Sequence, residues 1–435
     1  MPEAHTRGRS ALERAATVAM VLGIVGLLTW LATGSVNRMT RAGEPLDRQF
    51  RDFYEFYSGA EALVRGTDLY KAGELGYIYP PLLAVLMAPL VALGIQVAGV
   101  VWLCIRLALL VLILVLGADE MTRRFNLRRD AMTFAAFALG VLLLLADKLR
   151  AEMNMGQSNL LMVLCWLLAL RWMVRRPVLA GVALGFGANI KYVTLAAVPY
   201  LLLRKRFAAA GATVGSAALW ALVPALYLGW SQNAEYLVRA MRGLAGMAGD
   251  PAEAVGAKVM PVQSIGVAIT SWAARQTASA GMNLLTVALV GAVAGAFGLA
   301  VVMLYRRYGV KVFNRPAGEQ GMGDIVALEW SLLIIAVLCF SPQTNSPHLV
   351  QMLIPVMVAV ACLLSTRRAA ARWVVGIGCA VLVAGFVLPP GGVSARESVV
   401  AWQRAAGPSW CMLVFALCLC WAVVSEHRHR SALGA

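Results

Sequence analysis

A few side chains in this 435-residue sequence are of types, and at positions, that suit chemistry. Lys191 sits at the centre of the apolar stretch 178–203, together with Gly185, Gly187 and Asn189. A charge inside such a segment is costly and ordinarily marks a site or a buried partner. An ammonium there can hold an anionic group as a point charge; snorkelling to the interface, or pairing with Glu329, is the alternative. Asp52 opens a stretch in which Phe53, Phe56, Tyr57, Ala60, Leu63 and Val64 recur at three- and four-residue spacing, the signature of an amphipathic helix. It supports two readings. As an N-cap it would accept hydrogen bonds from the first helical turn, with Glu55 completing a capping-box-like pair. As a carboxylate near a membrane boundary it can be a general base towards a hydroxyl nucleophile. His348, beside a loop with Pro342 and Pro347, can donate to an anion or orient a nucleophile. Gln157, Asn159 and Gln263 are neutral hydrogen-bonding candidates, and Tyr57 and Tyr79 can stack on a ligand ring or anchor at an interface.

The elements that must position these groups are apolar helices. The chain is 60% hydrophobic and 14% charged, where an ordinary soluble domain is about 45–50% apolar and about 25% charged. The excess is gathered into runs near 17–33, 97–116, 132–146, 159–174, 207–230, 283–305, 325–340, 349–365, 373–388 and 409–425. A run of roughly 18 or more such residues can cross a bilayer as a helix. Stretch 178–203 has basic clusters at both ends, Arg171/Arg175/Arg176 and Arg204/Lys205/Arg206, so one crossing would put a cluster on the wrong side. Two short helices meeting near Asn189 resolve this. The Pro80-Pro81 segment up to Gly94 reads as re-entrant or interfacial. The expectation is an all-α, polytopic membrane protein forming one domain over 1–435, with about twelve crossings in a range of eleven to thirteen.

Formal charge sets the expected orientation. The net charge is +16. With both termini cytoplasmic, the cytoplasmic pieces hold 22 Lys/Arg against 8 Asp/Glu, and the extracytoplasmic pieces 14 against 13. Those nets, +14 and +1, follow the positive-inside tendency. The basicity is therefore a topological feature, and no nucleic-acid module is visible. The long extracytoplasmic loops, 34–79 and 231–281, are the places to look for a site. The first of these holds seven acids, Asp47 and Asp52 among them, and its helix is expected to lie along the outer membrane surface. The 305–324 loop, with Arg306, Arg307, Lys311 and Arg315, carries no Gly-rich phosphate cradle. The eight cysteines fall in or beside apolar runs without metal-ligand spacing, so neither a metal nor another cofactor is expected. Arg106 is read as a snorkelling side chain.

Several pieces, in order, resemble one family. Asp52-Phe53, Tyr57, Ala60, Gly66, Leu69-Tyr70, Tyr79-Pro80-Pro81-Leu82 and Pro89-Leu90 resemble the first-loop signature of glycosyltransferase family 87. Gly156-Gln157-Ser158-Asn159 resembles its Gly-Gln-x-Asn segment. Gly181, Gly185, Lys191-Tyr192, Pro199-Tyr200 and Arg204-Lys205-Arg206 resemble its Gly-rich, Lys-containing stretch. Gln263-Ser264 and Ser341-Pro342…His348…Pro355 resemble two later segments. The resemblance implies a GT-C-like membrane mannosyltransferase using a polyprenyl-phosphate sugar donor. It implies a lipid or glycan acceptor, an extracytoplasmic site, inverting transfer, and an aspartate base that Asp52 matches best, with Asp47 the competitor. Lys191 and His348 are then expected at the donor phosphate, and Tyr57, Tyr79, Gln157, Asn159 and Gln263 at the substrates. The rival reading is a multispanning transporter or lipid flippase, which broken helices and a membrane lysine also suit.

Overall fold

The computed structural model describes residues 2–74, 76–249, 263–277, 284–310, 322–341, 344–387 and 395–432. Pro342, Lys311, Arg315 and the 250–262 part of the second long loop lie outside the described residues. Helices dominate throughout, and the described residues contain no strand. Among the described residues eight helices are long and apolar enough to cross a membrane: Ala11–Met39, Gly94–Phe125, Phe207–Leu228, Leu284–Arg307, Gly323–Phe340, Ser346–Ser365, Ala369–Val387 and Gly407–Ala432. Ala131–Leu144 and Ala146–Met155 form a further pair bent by 70°. Four shorter apolar helices, Pro81–Val91, Asn159–Trp172, Pro177–Ala188 and Tyr192–Leu203, complete the set. The chain is an all-α multi-pass membrane protein, and each apolar run read from the sequence falls on one of these helices.

Stretch 178–203 is broken where its polar residues suggested. Helix Pro177–Ala188 stops at Asn189, whose amide donates to the carbonyls of Gly185 (3.1 Å) and Ala217 (2.9 Å). Lys191 follows in extended backbone before a 3-10 turn over Tyr192–Ala196 and helix Ala197–Leu203. Asn189 thus satisfies a carbonyl in the last turn of its own helix and ties that turn to Phe207–Leu222. Gly181 and Gly185 let Pro177–Ala188 lie directly on Phe207–Leu222, because a Cβ at either would run into that helix's backbone. Arg204, read as part of an exposed basic cluster, is buried. It pairs with Glu329, its Nε 2.7 Å from Oε2, and the Tyr200 hydroxyl donates to the same oxygen at 3.0 Å. Glu329 is therefore taken, and Lys191 does not pair with it. A charged pair in an apolar interior needs further hydrogen bonds to be tolerated, and the Tyr200 hydroxyl supplies one here.

The segment 147–157 reads as a loop in the sequence. It is instead largely helix Ala146–Met155, turned back against the body with Lys148, Leu149, Glu152 and Met153 buried. Its last carbonyls would be orphaned inside the protein. Arg106 Nη1 reaches those of Glu152 (3.1 Å) and Met153 (2.8 Å), Ser35 Oγ donates to Met153 (2.6 Å), and Arg38 Nη2 to Asn154 (2.5 Å). Arg106 consequently does not snorkel: it is 1% exposed, and its cation sits at the negative end of a helix dipole. Gly156, at φ +73°, then turns the chain into helix Asn159–Trp172.

The amphipathic helix of the first long loop forms over Asp52–Val64. Its aromatic face is spent on protein contacts. Phe53 stacks on Trp102 (6.2 Å between centroids), Phe56 meets Tyr79 edge-on (5.0 Å), and Phe53, Phe56, Ala60 and Leu63 are buried. Trp102 Nε1 donates to the Gly156 carbonyl at 2.8 Å, so one indole fixes both the Asp52 helix and the Gly156 turn.

Gly156→Ala is a substitution that this packing opposes. A Cβ there would stand 2.7 Å from Phe53 Cβ, in backbone that L side chains disfavour by roughly 1–2 kcal/mol. The expected outcome is a lower unfolding temperature in detergent, with a larger loss of function than of stability, since Asp52 and Gln157 flank the contact.

Candidate active site

Asp52, Gln157, Asn159, Lys191 and His348 come from four separate parts of the chain and meet at the break after Pro177–Ala188. The Lys191 ammonium donates to Asn159 Oδ1 (2.7 Å) and Gln157 Oε1 (2.9 Å), and lies 3.1 Å from His348 Nε2. Gln157 turns its other amide atom outwards, Nε2 donating to Asp52 Oδ2. One amide thus bridges Asp52 and Lys191, and its orientation is fixed, oxygen to the cation and nitrogen to the anion. The Lys191 charge lies 5.4 Å from the centre of the Tyr79 ring.

The Asp52 side chain does not cap its own helix. Arg51 occupies the N-cap position, and no side-chain capping bond forms there. Arg51 adopts φ +53° and ψ −130°, a backbone region ordinarily left to glycine. This kink between the Leu46–Phe50 and Asp52–Val64 helices aims the Asp52 carboxylate across at Gln157. Burial raises the carboxyl's pKa above the usual range; the Lys191 charge, the Gln157 hydrogen bond and Arg51 pull it back without cancelling the rise. A carboxylate with a raised pKa is a stronger base once it is deprotonated.

His348 belongs to the 3-10 turn Ser346–Met352, where Asn345 and His348 form a reciprocal cap. Its Nδ1 accepts the Asn345 backbone N–H at 3.4 Å. A neutral imidazole accepting at Nδ1 carries its hydrogen on Nε2. That hydrogen faces the same space as the Lys191 ammonium. In that tautomer Lys191 Nζ and His348 Nε2, 3.1 Å apart, can both donate to one anionic oxygen; in the other, Nε2 accepts from the ammonium directly. Gln157 and Asn159 are buried, whereas Asp52, Tyr79, Lys191 and His348 keep partial exposure. The cluster has a buried polar floor and a partly exposed rim.

Other candidates lie elsewhere. Tyr57 is buried with its hydroxyl donating to the Val91 carbonyl (3.3 Å), a packing role. Gln263 is buried beside the 344–348 segment: its N–H donates to the Thr344 carbonyl (2.7 Å), and its own carbonyl accepts from Ser409 (2.5 Å). It supports the backbone that carries His348 rather than joining the cluster. Asp47 is in the short helix Leu46–Phe50, away from the hydrogen-bonded line. Among the described residues no three His, Cys, Asp or Glu side chains converge as a metal site. Sequence reasoning missed Glu152. It is fully buried beneath Asn159 and accepts from Asn159 N (3.0 Å) and Nδ2 (2.8 Å). The available signal was an acid shortly before a glycine turn and two amides.

A family model described as glycosyltransferase family 87 matches residues 77–334, more than half of the chain. Gln157, Asn159 and Lys191 lie inside that stretch, and Asp52 and His348 flank it. Over 223 residues the chain is 28% identical to a protein of Mycolicibacterium smegmatis (strain ATCC 700084 / mc(2)155), the polyprenol-phosphate-mannose-dependent alpha-(1-2)-phosphatidylinositol pentamannoside mannosyltransferase. The match covers 48% of this chain and 48% of that protein, so the chain spans about half the length of the curated relative it matches. No solved structure matches.

The direction of the Asp52 shift can be tested without a substrate. An infrared titration of the carboxylate stretch, with Asp52→Asn as the subtraction reference, should show Asp52 protonating above the ordinary aspartate range. Lys191→Met removes a charge that lowers the pKa, so the same band should titrate at still higher pH.

Proposed function

The chain belongs to glycosyltransferase family 87, and from that premise we propose that it transfers a mannosyl unit from a polyprenyl-phosphate donor to a lipid or glycan hydroxyl, with inversion, on the extracytoplasmic side of the membrane. Membership makes it a membrane glycosyltransferase rather than a transporter or flippase. The donor follows the name of the mannosyltransferase relative. The observation that carries the mechanism is the line Asp52–Gln157–Lys191–His348, with a carboxylate at one end and an ammonium beside an imidazole at the other.

In this reading the acceptor hydroxyl stands at Asp52. Its oxygen forms the new bond to the sugar's anomeric carbon as the bond from that carbon to the phosphate oxygen breaks. The proton passes to Asp52, and polyprenyl phosphate leaves with the bonding pair. Attack from the side opposite the leaving group inverts the configuration. Negative charge grows on the departing phosphate, and donors already in place stabilise it without reorganising. Lys191 and His348 Nε2–H are those donors. Tyr79, on the same rim, offers a face to the sugar. The orientation follows the charge distribution, with the acid-rich loop 34–79 on the side of the active site. The apolar helices supply the surface along which the polyprenyl tail lies.

Purified protein in nanodiscs, given labelled polyprenyl-phosphate mannose and a panel of glycolipid acceptors, tests this directly. Asp52→Asn should fold normally and lose about 10²–10⁴-fold in transfer rate, whereas Asp47→Asn stays near wild type. Lys191→Met should raise the KM for the donor as well as lower kcat. In the wild type, kcat/KM should rise with pH through an acidic limb set by the raised pKa of Asp52. Near-normal turnover by Asp52→Asn would sink the assignment, and preference for another polyprenyl-phosphate sugar would replace mannose.

A further inference from the structure

Glu152 is a fully buried carboxylate that the mechanism above does not use. Helix Ala146–Met155 is held from outside by Arg106, Ser35 and Arg38 on its last carbonyls, so its end is a rigid platform. From it, Glu152 Oε1 accepts the Asn159 backbone N–H at 3.0 Å and Oε2 accepts Asn159 Nδ2 at 2.8 Å. The same Nδ2 also donates to the Pro347 carbonyl at 3.3 Å, one residue before His348. With both hydrogens of that amide engaged by acceptors, Asn159 Oδ1 has one direction left, and it meets Lys191 Nζ at 2.7 Å.

We propose that Glu152 is a positioning residue of the transfer reaction: its carboxylate fixes the Asn159 amide with oxygen towards Lys191, and so sets where the lysine ammonium meets the donor phosphate. The inference rests on the reading of Lys191 as a phosphate-binding group. Asn159 is the inner counterpart of Gln157. Gln157 ties the ammonium to Asp52, Asn159 ties it to Glu152, and the two amides hold it between two carboxylates that it does not touch directly. A neutral amide acceptor fixes the cation while leaving its charge available to an anionic ligand. A direct Glu152–Lys191 ion pair would quench that charge.

Glu152→Gln tests the idea at nearly constant volume. It replaces one acceptor atom by a donor, which faces the Asn159 donors and favours a flipped amide with nitrogen towards Lys191. Displacement of a reacting or binding group by about 1 Å can cost on the order of 10²-fold. Steady-state kinetics should show kcat/KM for the donor falling about 10- to 100-fold, with the acceptor KM and the unfolding temperature little changed. Asn159→Ala should reproduce the defect, and the double variant should be no worse than Asn159→Ala alone, because the two residues act through one link. Wild-type donor kinetics in Glu152→Gln, or losses that multiply in the double variant, would overturn the proposal. Should Glu152→Gln fail to fold, Glu152→Asp keeps the charge but shortens the reach: a donor-specific loss supports the link, and unchanged kinetics removes it. Full transfer by Lys191→Met would instead refute the phosphate-binding reading itself, whatever Glu152 variants do.

Discussion

The arrangement depends on holding one ammonium, that of Lys191, at a break between two short apolar helices. A cation in such a place needs acceptors, and the protein supplies neutral ones, the side-chain amides of Gln157 and Asn159. Much of the neighbouring structure follows from that need. Asn189 closes the helix end so that Lys191 can leave helical backbone. The Gly156 turn brings Gln157 and Asn159 to the ammonium from below. Residues 344–348 bring His348 from the side, supported by Gln263. Negative charge stays at one remove, on Asp52 and Glu152, so the cation is located without being neutralised by contact. The close ion pair of Arg204 with Glu329 is separate and structural.

The same geometry separates two tasks that a sugar transferase has to keep apart. A base must take a proton from the nucleophile, and cationic or N–H groups must receive charge at the leaving group. Asp52 and Lys191 would cancel each other in direct contact. With Gln157 between them, each polarises the other through an oriented amide. The burial that raises the Asp52 pKa and the lysine that lowers it are opposed, and burial prevails. The buried floor and partly exposed rim let substrates reach the ends of this line without exposing its middle.

Much of this was legible in the sequence, for identifiable reasons. Lys191 and the helix break stood out because a charge and an asparagine interrupt an apolar run. Asp52 stood out because an amphipathic pattern begins there, although the local pattern equally allowed a cap, and only the positive φ of Arg51 and the contact with Gln157 distinguish the two. Gln157, Asn159 and His348 were found through ordered motif resemblance; their convergence is tertiary. Arg106 was misread because its partners are carbonyls some 46 residues away, which no local rule supplies. Arg204 reads as one member of a basic cluster, and its partner Glu329, 125 residues distant, shows only in the fold. Glu152 was hidden as one acid in a segment read as a loop. Tyr57 matched a motif position whose role here is packing.

A structure bound to an inert polyprenyl-phosphate-mannose analogue tests the central claim most directly. The account predicts a phosphate oxygen accepting from both Lys191 Nζ and His348 Nε2. It also predicts the sugar's anomeric carbon facing Asp52 on the side opposite the phosphate. A phosphate bound away from Lys191, or a sugar whose open face turns from Asp52, would contradict it.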